Sequence, residues 1–539
     1  MRPVEPVPDW GTLPRMLRDQ AARHPDAVVI DDGGARTTLR DLLAAATREA
    51  AGLLALGVAP GDRVAIWGVN DPSWVVHAFG VWLAGGVVVP LSSRCKGLEA
   101  AGTLDRTGAD VLLTGEGPPG VVLADLLPPL PGLRHVVVPD GVTAGGPRLP
   151  VSRLPIPCPP VPGSPVPGSP AAGTPARAVE ERALAVRPDD LCEIMSTSGT
   201  TGTPKGVMLD HAQVLRGYWD WAEIVTLGEN DRYPVIAPFS HGFGLNAGLV
   251  ACVLRRATML PVRVFSPDAL MTLIGSGASV LAGPPTLFHR LLEELDRGAP
   301  DVTSLRVAIC GAAAVPPSLI TRLVERVGLE RVINAYGLME GTVVSMTRAG
   351  DPVEVVAATA GRPVPGIEVR VVDDDGKDVP PGERGEILQR GYGVMRGYWG
   401  EPGRTAEVVD EDGWLHTGDV GVLDGSGNLA VVDRKKDLYI VNGFNVSPAE
   451  VEALLLREGS LAQVAVLGVP DAVSGEAGWA YVVPKAGQSV DVPRLLAWAK
   501  DNMSGFKVPK RVVVVDTLPV NANGKIDKVA LRAAATGET

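Results

Sequence analysis

The sequence has few cysteines, few aromatic residues and no long uninterrupted apolar run. The five cysteines are odd in number, scattered, and include no Cys-x-x-Cys pair. This pattern argues against a disulfide framework or a zinc site and is typical of reduced thiols in the cytoplasm, where we expect the protein. Because aromatic residues make up only 4% of the chain, Ala, Val, Leu and Gly must fill most of the interior.

Apolar residues are most concentrated over 74–91, but His77 and the pair Gly85-Gly86 interrupt this stretch. It therefore predicts a buried helix followed by a buried strand, and no membrane span. Residues 1–6 contain no apolar segment after the basic residue, so we expect no secretory signal there. The formal net charge of −12 repels phosphate backbones, and we expect no nucleic-acid partner.

The length of 539 residues exceeds one ordinary hydrophobic core and predicts several domains. Helical and strand patterns alternate: helices are predicted over 39–56 and 74–84, and strands over 63–67 and 86–90. Such alternation is typical of α/β proteins, in which helices flank parallel or mixed sheets.

A proline-rich segment interrupts this pattern at about residues 150–180. The pentapeptide Val-Pro-Gly-Ser-Pro occurs twice in tandem at 161–170, and proline continues to Pro175. Such a composition can neither supply a ladder of backbone donors nor bury apolar surface, so it predicts an exposed, disordered insertion.

The last hundred residues have a different rhythm, with short strands and a few helices. Serine, proline and glutamate at 447, 448 and 450 form a capping box that opens a predicted helix. A second helix is predicted over 493–502 and a strand over 511–515. The small size and mixed pattern indicate an α+β domain.

Residues 196–206 form an almost unbroken run of hydroxyl-bearing residues and glycines, ending in Pro204-Lys205-Gly206. Glycine amides, hydroxyls and a lysine ammonium are groups that bind phosphate. A flexible Ser/Gly-rich loop would have a similar composition. A Walker loop fits poorly, because proline precedes the lysine and glycine follows it, leaving no hydroxyl for magnesium.

Four further motifs follow this loop in a fixed order. They are NAYGLME at 334–340, GWLHTGD at 413–419, VDRKKD at 432–437 with NGFNVSP at 442–448, and PVNANGKI at 519–526. With the phosphate loop they resemble the acyl-adenylate-forming superfamily of acyl-CoA synthetases, beetle luciferases and peptide-synthetase adenylation domains. The resemblance covers about residues 35–530.

This resemblance implies both an architecture and a reaction. A large N-terminal domain of parallel and mixed sheets flanked by helices would occupy 1–432. A hinge at 433–436, with Lys436 as pivot, would join it to a small mobile α+β domain over 437–539. The implied reaction uses ATP and Mg²⁺ to convert a carboxylic acid into acyl-AMP, and then transfers the acyl group to the thiol of coenzyme A.

The resemblance also implies roles for individual residues. Lys525 would stabilise charge on the acid and the α-phosphate, although a solvated turn lysine is the plain alternative. Asp419 and Arg434 would bind the ribose, and Glu340 would help to hold Mg²⁺. Lys436 has a plain alternative too, as part of a charged turn between strands.

Other residues would surround the nucleotide and the thiol. Tyr336 would stack on adenine, framed by Gly311, Ala312, Ala313, Asn334 and Gly337. The phosphate-binding set would be Thr197, Ser198, Gly199, Thr200, Thr201 and Lys205. His241 would border the acid pocket and the thiol channel, or it could be a core histidine. Gly443 and Phe444 would line the pantetheine tunnel, and the basic residues Lys507, Lys510 and Arg511 could meet the CoA phosphates or form a solvated face.

One position departs from the family motif Tyr-Gly-x-Thr-Glu, because Met339 stands where the threonine is expected. In the family this hydroxyl bonds the α-phosphate, and losing one such donor can lower a rate by about a hundredfold. We therefore expect the adenylation step to be weak or absent and thioester formation to survive. A separate adenylating enzyme would then supply the acyl-adenylate.

The acid itself is suggested only by the small residues expected around it, among them Gly242, Gly244 and Gly311. Small linings leave volume, which favours a bulky apolar acid of the alicyclic, terpenoid or steroid-fragment kind; a long-chain fatty acid is the second candidate. Two other functions remain open: a ligase that loads a carrier protein, and a non-catalytic adenylate-binding protein.

Overall fold

The computed structural model describes residues 7–114, 117, 121–138, 151–152, 175–197, 204–298, 301–311, 315, 317–434, 439–446, 448–485, 487–519 and 528–536. Twenty-six strands and sixteen α-helices fall within these ranges, together with 3₁₀-helices at Leu123–Leu126 and Leu456–Glu458 and a π-helix at Leu245–Val250.

In chain order the strands are β1 Val28–Asp31, β2 Arg36–Thr38, β3 Arg63–Trp67, β4 Val87–Leu91, β5 Val111–Thr114, β6 His135–Val137, β7 Val151–Ser152, β8 Leu191–Thr197, β9 Lys205–Asp210, β10 Arg232–Val235, β11 Thr258–Pro261, β12 Val280–Gly283, β13 Val307–Gly311, β14 Arg331–Leu338, β15 Thr342–Met346, β16 Arg362–Pro363, β17 Ile367–Val372, β18 Arg384–Gly391, β19 Gly397–Tyr398, β20 Leu415–Leu423, β21 Leu429–Arg434, β22 Tyr439–Val441, β23 Phe444–Val446, β24 Leu461–Asp471, β25 Gly475–Pro484 and β26 Arg511–Val514.

The helices are α1 Leu13–Arg23, α2 Leu39–Ala55, α3 Pro72–Leu83, α4 Gly97–Thr107, α5 Pro175–Ala185, α6 His211–Val225, α7 Gly242–Gly244, α8 Ala251–Arg255, α9 Pro267–Gly275, α10 Pro285–Asp296, α11 Pro317–Val327, α12 Val353–Ala358, α13 Pro402–Ala406, α14 Pro448–Leu455, α15 Val492–Asn502 and α16 Lys528–Thr536.

Four of the five sheets belong to the part of the chain before residue 435, here called the N-terminal lobe. Their strand orders are β19-β9-β8-β4-β3-β5-β6-β7, β10-β11-β1-β2, β12-β13-β14-β15-β16 and β17-β18-β20-β21. Strands β3, β4 and β5 are parallel, whereas β8 and β9 form an antiparallel hairpin. The predicted α/β class, with parallel and mixed sheets flanked by helices, is confirmed.

Local chemistry explains why the predicted helices begin where they do. Thr38 and Asp41 form a capping box at the start of α2, and Asp71 caps α3 directly before a proline. The apolar stretch over 74–91 forms most of α3 and all of β4, both buried, as predicted. None of the helices in the described ranges is long and apolar enough to cross a membrane.

Both ends of the predicted proline-rich insertion form regular secondary structure. Val151–Ser152 extends the largest sheet as β7, and α5 begins at Pro175. Val179 and Ala183 of α5 are buried, so the predicted disorder is wrong for the last residues of this segment. The rest of the predicted insertion, 153–174, lies outside the described residues.

The fifth sheet forms the C-terminal lobe, described from residue 439 onward. Strands β23, β22, β25 and β24 pair in that order, and β26 adds to β25 in parallel. Apolar clusters cover this sheet together with α14, α15 and α16. The predicted hinge falls where β21 ends at Arg434, and Lys436 lies outside the described residues; the boundaries at 432 and 437 stay predictions.

Candidate active site

The turn after β14 carries Met339 and Glu340. Strand β14 ends at Leu338 and pairs antiparallel with β15, so these two residues occupy a tight reversal. Gly337 permits the close approach of the two strands, because a Cβ there would lie 2.4 Å from the carbonyl oxygen of Thr342. The backbone therefore holds both side chains at the end of a rigid strand.

Asn334 and Tyr336 lie earlier on β14. Asn334 is buried, and its Nδ2 donates a hydrogen bond to the carbonyl oxygen of Val356, 3.3 Å away. The phenol oxygen of Tyr336 donates to Oδ2 of Asp419 at 2.6 Å. The structure thus brings together the residues expected to contact adenine and ribose.

Asp419 and Arg434 are neighbours on adjacent antiparallel strands, β20 and β21. Asp419 is mostly buried, and its backbone amide donates to the hydroxyl of Thr417, 3.1 Å away. Only the backbone of Arg434 is described, so its predicted ribose contact stays a prediction.

Glu340, Tyr398 and Lys205 form a compact polar group. The hydroxyl of Tyr398 donates to Oε1 of Glu340 at 2.9 Å, and Nζ of Lys205 lies 4.3 Å from the centre of the Tyr398 ring. An ammonium over a tyrosine face is attracted by the ring. Burial raises the pKa of Tyr398, with a further contribution from Glu340, so the phenol stays a hydrogen-bond donor.

The phosphate loop joins β8 to β9. Thr197 ends β8 and is paired with Lys205 at the start of β9. Ser198, Gly199, Thr200 and Thr201 lie between them, outside the described residues. Hydroxyl and ammonium groups therefore flank the loop where the sequence places its phosphate-binding set.

Gly311 ends β13, and Ala312 and Ala313 after it lie outside the described residues. A Cβ on Gly311 would lie 2.8 Å from the carbonyl oxygen of Ala335, and one on Gly244 only 2.1 Å from that of Pro238. Both glycines serve close backbone packing. The expectation that they open volume for the acid is wrong, since their missing side chains face backbone.

His241 caps the short helix α7, and its Nδ1 accepts a hydrogen bond from the amide of Phe243 at 3.2 Å. The proton of the neutral ring is therefore on Nε2. Surrounding protein lowers the pKa of His241 below its ordinary value, so the ring is neutral at pH 7. The ring lines a cavity, which distinguishes it from a histidine enclosed in the core.

Met339 lies beside Gly242, where its Sδ is 3.2 Å from the position that a Cβ would occupy. Its thioether lines the same cavity as Thr197 and His241. The residue that departs from the family motif thus lies in the site itself, on the cavity that Thr197 and His241 also line.

The cavity has a volume of about 300 Å³ and is lined by both lobes. Thr197, His241 and Met339 come from the N-terminal lobe, and Phe444 and Lys507 from the C-terminal lobe. A chamber of this kind can lead a flexible chain to the reacting centre.

Gly443 and Phe444 lie where the lobes meet. Gly443 has a φ of +82°, and a Cβ there would be 2.9 Å from Cβ of Pro284 in the N-terminal lobe. Phe444 stacks on Phe506 with ring centres 4.5 Å apart, and the guanidinium of Arg94 lies 4.3 Å from the Phe444 ring centre. Glycine is required here both by its backbone conformation and by this close approach.

Several site residues were not identified from the sequence, notably Arg94, Glu99 and Tyr398. Lys507 was placed in a basic cluster that meets CoA or solvent, but its ammonium is largely buried between Glu99 and Glu450. Lys510 of the same cluster is paired with Asp471. Lys525, the predicted adenylation lysine, lies outside the described residues.

Comparison with known proteins agrees with this geometry. The model of the family described as AMP-binding enzyme matches residues 17–399, and that of the AMP-binding enzyme C-terminal domain matches 450–525. A Mycobacterium tuberculosis CoA ligase, named for a methyl-dioxo-octahydroindenyl propanoate, is 40% identical over 98% of this chain and 99% of its own.

Two solved structures show the same architecture. An amide bond synthetase from Marinactinospora thermotolerans has a TM-score of 0.81 at 29% identity, covering 97% of this chain and 99% of its own. An o-succinylbenzoate CoA synthetase from Bacillus subtilis, bound to a product analogue, has a TM-score of 0.77 at 26% identity, covering 96% and 97%. The chain therefore belongs to the AMP-binding enzyme family, and it is an acyl-CoA ligase that uses ATP and CoA to convert a carboxylic acid, through its adenylate, into a thioester.

Proposed function

We propose that this ligase thioesterifies a bulky apolar acid, and that thioester formation is its stronger half-reaction. The observation that carries the proposal is the cavity between the lobes, which joins His241 and Met339 to Phe444. A bicyclic octahydroindenyl propanoate is the leading candidate acid, because the Mycobacterium tuberculosis relative is named for one. A long-chain fatty acid remains the second candidate.

For adenylation, the described residues divide into a nucleoside group and a phosphate group. Tyr336 and Asp419 would hold adenine and ribose, while Lys205 and the loop after Thr197 would hold the β- and γ-phosphates. Displacement of pyrophosphate builds negative charge around phosphorus, which fixed donors and ammonium groups stabilise. Lys525 would supply the last of these groups.

Glu340 is the residue that would hold Mg²⁺, a hard cation that prefers oxygen ligands. Within the part of the chain that the structure describes, no group of three or more His, Cys, Asp or Glu side chains could hold a metal ion. A single carboxylate fits a cation that takes its other ligands from nucleotide phosphates and water. When bound, the ion would neutralise charge on the phosphates.

For thioester formation, the cavity would admit the pantetheine arm past Phe444 to the acyl-adenylate beside His241. The neutral imidazole carries its proton on Nε2, which can donate to an oxygen of the reacting group. In this step the thiol attacks the carbonyl carbon and not phosphorus. The absence of a threonine hydroxyl at position 339 therefore matters less here than in adenylation.

The proposal is tested by two parallel reactions followed by mass spectrometry. One contains bicyclic and fatty acids with ATP, Mg²⁺ and CoA; the other contains the corresponding synthetic acyl-adenylates with CoA. Fast thioester formation from adenylates and slow formation from acids would support the proposal and point to a separate adenylating enzyme. Equal rates would overturn the role assigned to Met339.

Acyl acceptors other than coenzyme A should also be tested, because the amide bond synthetase has the same architecture. Adding amines to the adenylate reaction would reveal amide products, and adding a phosphopantetheinylated carrier protein would reveal a loaded carrier. Adenylate binding without any product would contradict the proposed thioester formation.

A further inference from the structure

Lys507 is the centre of a buried group of three charges. Its Nζ lies 2.9 Å from Oε1 of Glu99 and 2.6 Å from Oε1 of Glu450. The exposed fractions of these side chains are 11% for Lys507, 5% for Glu99 and 6% for Glu450. Charges this far from water interact strongly, since solvent screens them little.

The three residues belong to different lobes. Glu450 lies on α14 and Lys507 lies after α15, both in the C-terminal lobe, whereas Glu99 lies on α4 in the N-terminal lobe. The hydroxyl of Ser504 also contacts Glu99, with oxygen atoms 3.3 Å apart. The pair Lys507–Glu450 can therefore persist in any lobe orientation, while the pair Lys507–Glu99 exists only when the lobes pack as they do here.

All four side chains line the cavity between the lobes. The pair that links the two lobes is thus part of the wall of the cavity through which the acyl acceptor would pass. Losing one partner of a buried, hydrogen-bonded charge pair is costly, because the other charge is left in the interior. Separation of the lobes would return Glu99 to water and remove this contact.

We propose that Glu99 and Lys507 are positioning residues that hold the C-terminal lobe in the orientation needed for thioester formation. The inference rests on the proposed two-step function and on the mobile C-terminal domain that the family resemblance implies, with the lobes changing orientation between the half-reactions. Neither residue has to touch the reacting atoms. Their contribution is the relative stability of one lobe arrangement, so they should affect the two half-reactions differently.

Glu99→Gln is the variant that tests the pair most cleanly. Glu99 also accepts a hydrogen bond from the Lys96 amide at the start of α4, and glutamine keeps an acceptor there while removing the charge. We expect the turnover of synthetic acyl-adenylate at a limiting concentration of CoA to fall about tenfold or more. Binding of AMP, measured by calorimetry, should stay unchanged because the nucleotide residues lie elsewhere.

Two further variants sharpen the test. The double variant Glu99→Gln with Lys507→Gln should lose no more turnover than Lys507→Gln alone, because the two single changes remove the same contact. Lys500→Met removes an exposed lysine from α15 of the same lobe, and it should leave turnover at the wild-type level.

A readout independent of turnover follows lobe orientation directly. Spin labels at the exposed positions Asp375 and Val473, one in each lobe, would report a single distance in the wild type and a second or broader population in Glu99→Gln. Wild-type-like distances and turnover in Glu99→Gln would overturn the inference, as would losses of turnover that add independently in the double variant. Absence of thioester from the wild-type protein would instead refute the proposed function.

Discussion

The phenol of Tyr398 donates to the carboxylate of Glu340 at 2.9 Å, although 58 residues separate them. Tyr398 belongs to β19, which pairs with β9, so the strand that begins with Lys205 also orients the predicted magnesium carboxylate. The phosphate loop and the turn after β14 are therefore coupled through one side chain.

Tyr398→Phe should weaken MgATP binding about tenfold, because Glu340 loses a charge-assisted hydrogen bond while the ring under Lys205 remains. Calorimetric titration with MgATP measures the effect. Tyr392→Phe is the matched control, since the Tyr392 hydroxyl donates to Asp220; it should lower stability and leave MgATP affinity unchanged. Equal MgATP affinity in wild type and Tyr398→Phe would contradict this role.

Met339→Thr should raise the rate of adenylate formation about a hundredfold, because it restores a donor to the developing charge at phosphorus. Pyrophosphate exchange into ATP, with the preferred acid present, measures this step alone. Leu338→Thr adds a hydroxyl one residue earlier and should give no gain. If the exchange rate of Met339→Thr matches the wild type, the methionine is not what limits adenylation.

Gly443→Ala should block thioester formation and leave pyrophosphate exchange intact. The added Cβ would be strained at a φ of +82° and would lie 2.9 Å from Pro284 of the other lobe. Gly487→Ala is the control, because Gly487 has a φ of +75° with no atom within 4 Å of an added Cβ. A similar loss of turnover in both variants would mean that backbone strain, and not the lobe contact, is responsible.

Glu193 predicts a pH dependence of stability. Burial raises the pKa of this carboxyl from 4.5 to about 7, against a smaller opposing effect of the Asn246 hydrogen bond. Because the pKa of Glu193 is higher in the folded protein than in the unfolded chain, the folded state is most stable while this carboxyl is protonated. This part of the stability is complete below pH 4.5 and is lost as the pH rises through about 7. Glu193→Gln should therefore exceed the wild type in unfolding free energy by about 3 kcal/mol at pH 8.

Urea unfolding at pH 5 and pH 8 measures this difference. Replacing the exposed Glu383 by glutamine should leave the pH dependence of the wild type unchanged. Parallel pH profiles for Glu193→Gln and the wild type would show that the buried carboxyl does not govern the loss of unfolding free energy between pH 5 and pH 8.

Cys95 should resist alkylation although it lines the cavity. Burial raises the pKa of its thiol to about 12, with Glu99 adding to the effect, so the reactive thiolate is scarce at pH 8. Mass spectrometry after iodoacetamide treatment should find Cys95 unmodified in the folded protein and modified in denaturant. Rapid labelling of Cys95 in the folded protein would contradict the raised pKa.

The sequence predicted the elements whose signals are local. Helical periodicity located α2 and α15, a capping box located the start of α14, and the short motifs located Tyr336, Asp419 and Phe444. The contacts that build the site have no local signal, because Lys507 meets Glu99 from 408 residues away. A basic residue near other basic residues gives the same pattern whether it faces solvent or enters a buried charge pair.

Glycines were misinterpreted for a similar reason. A run of small residues predicts space, but composition does not say whether backbone fills that space, as it does beside Gly244 and Gly311. Conversely, Met339 could be singled out because a motif supplied the residue expected there, and its effect on adenylation stays a prediction. Its position beside Gly242 required the three-dimensional arrangement.

The shared wall of the cavity links acceptor affinity to the populations of lobe arrangements. For a molecule that binds only when both walls are present, the apparent affinity equals the intrinsic affinity multiplied by the fraction of protein already in that arrangement. Free coenzyme A and the pair Glu99–Lys507 thus favour the same state and reinforce each other. Weakening the pair should raise the concentration of coenzyme A needed for half-maximal rate, and saturating coenzyme A should partly hide the defect.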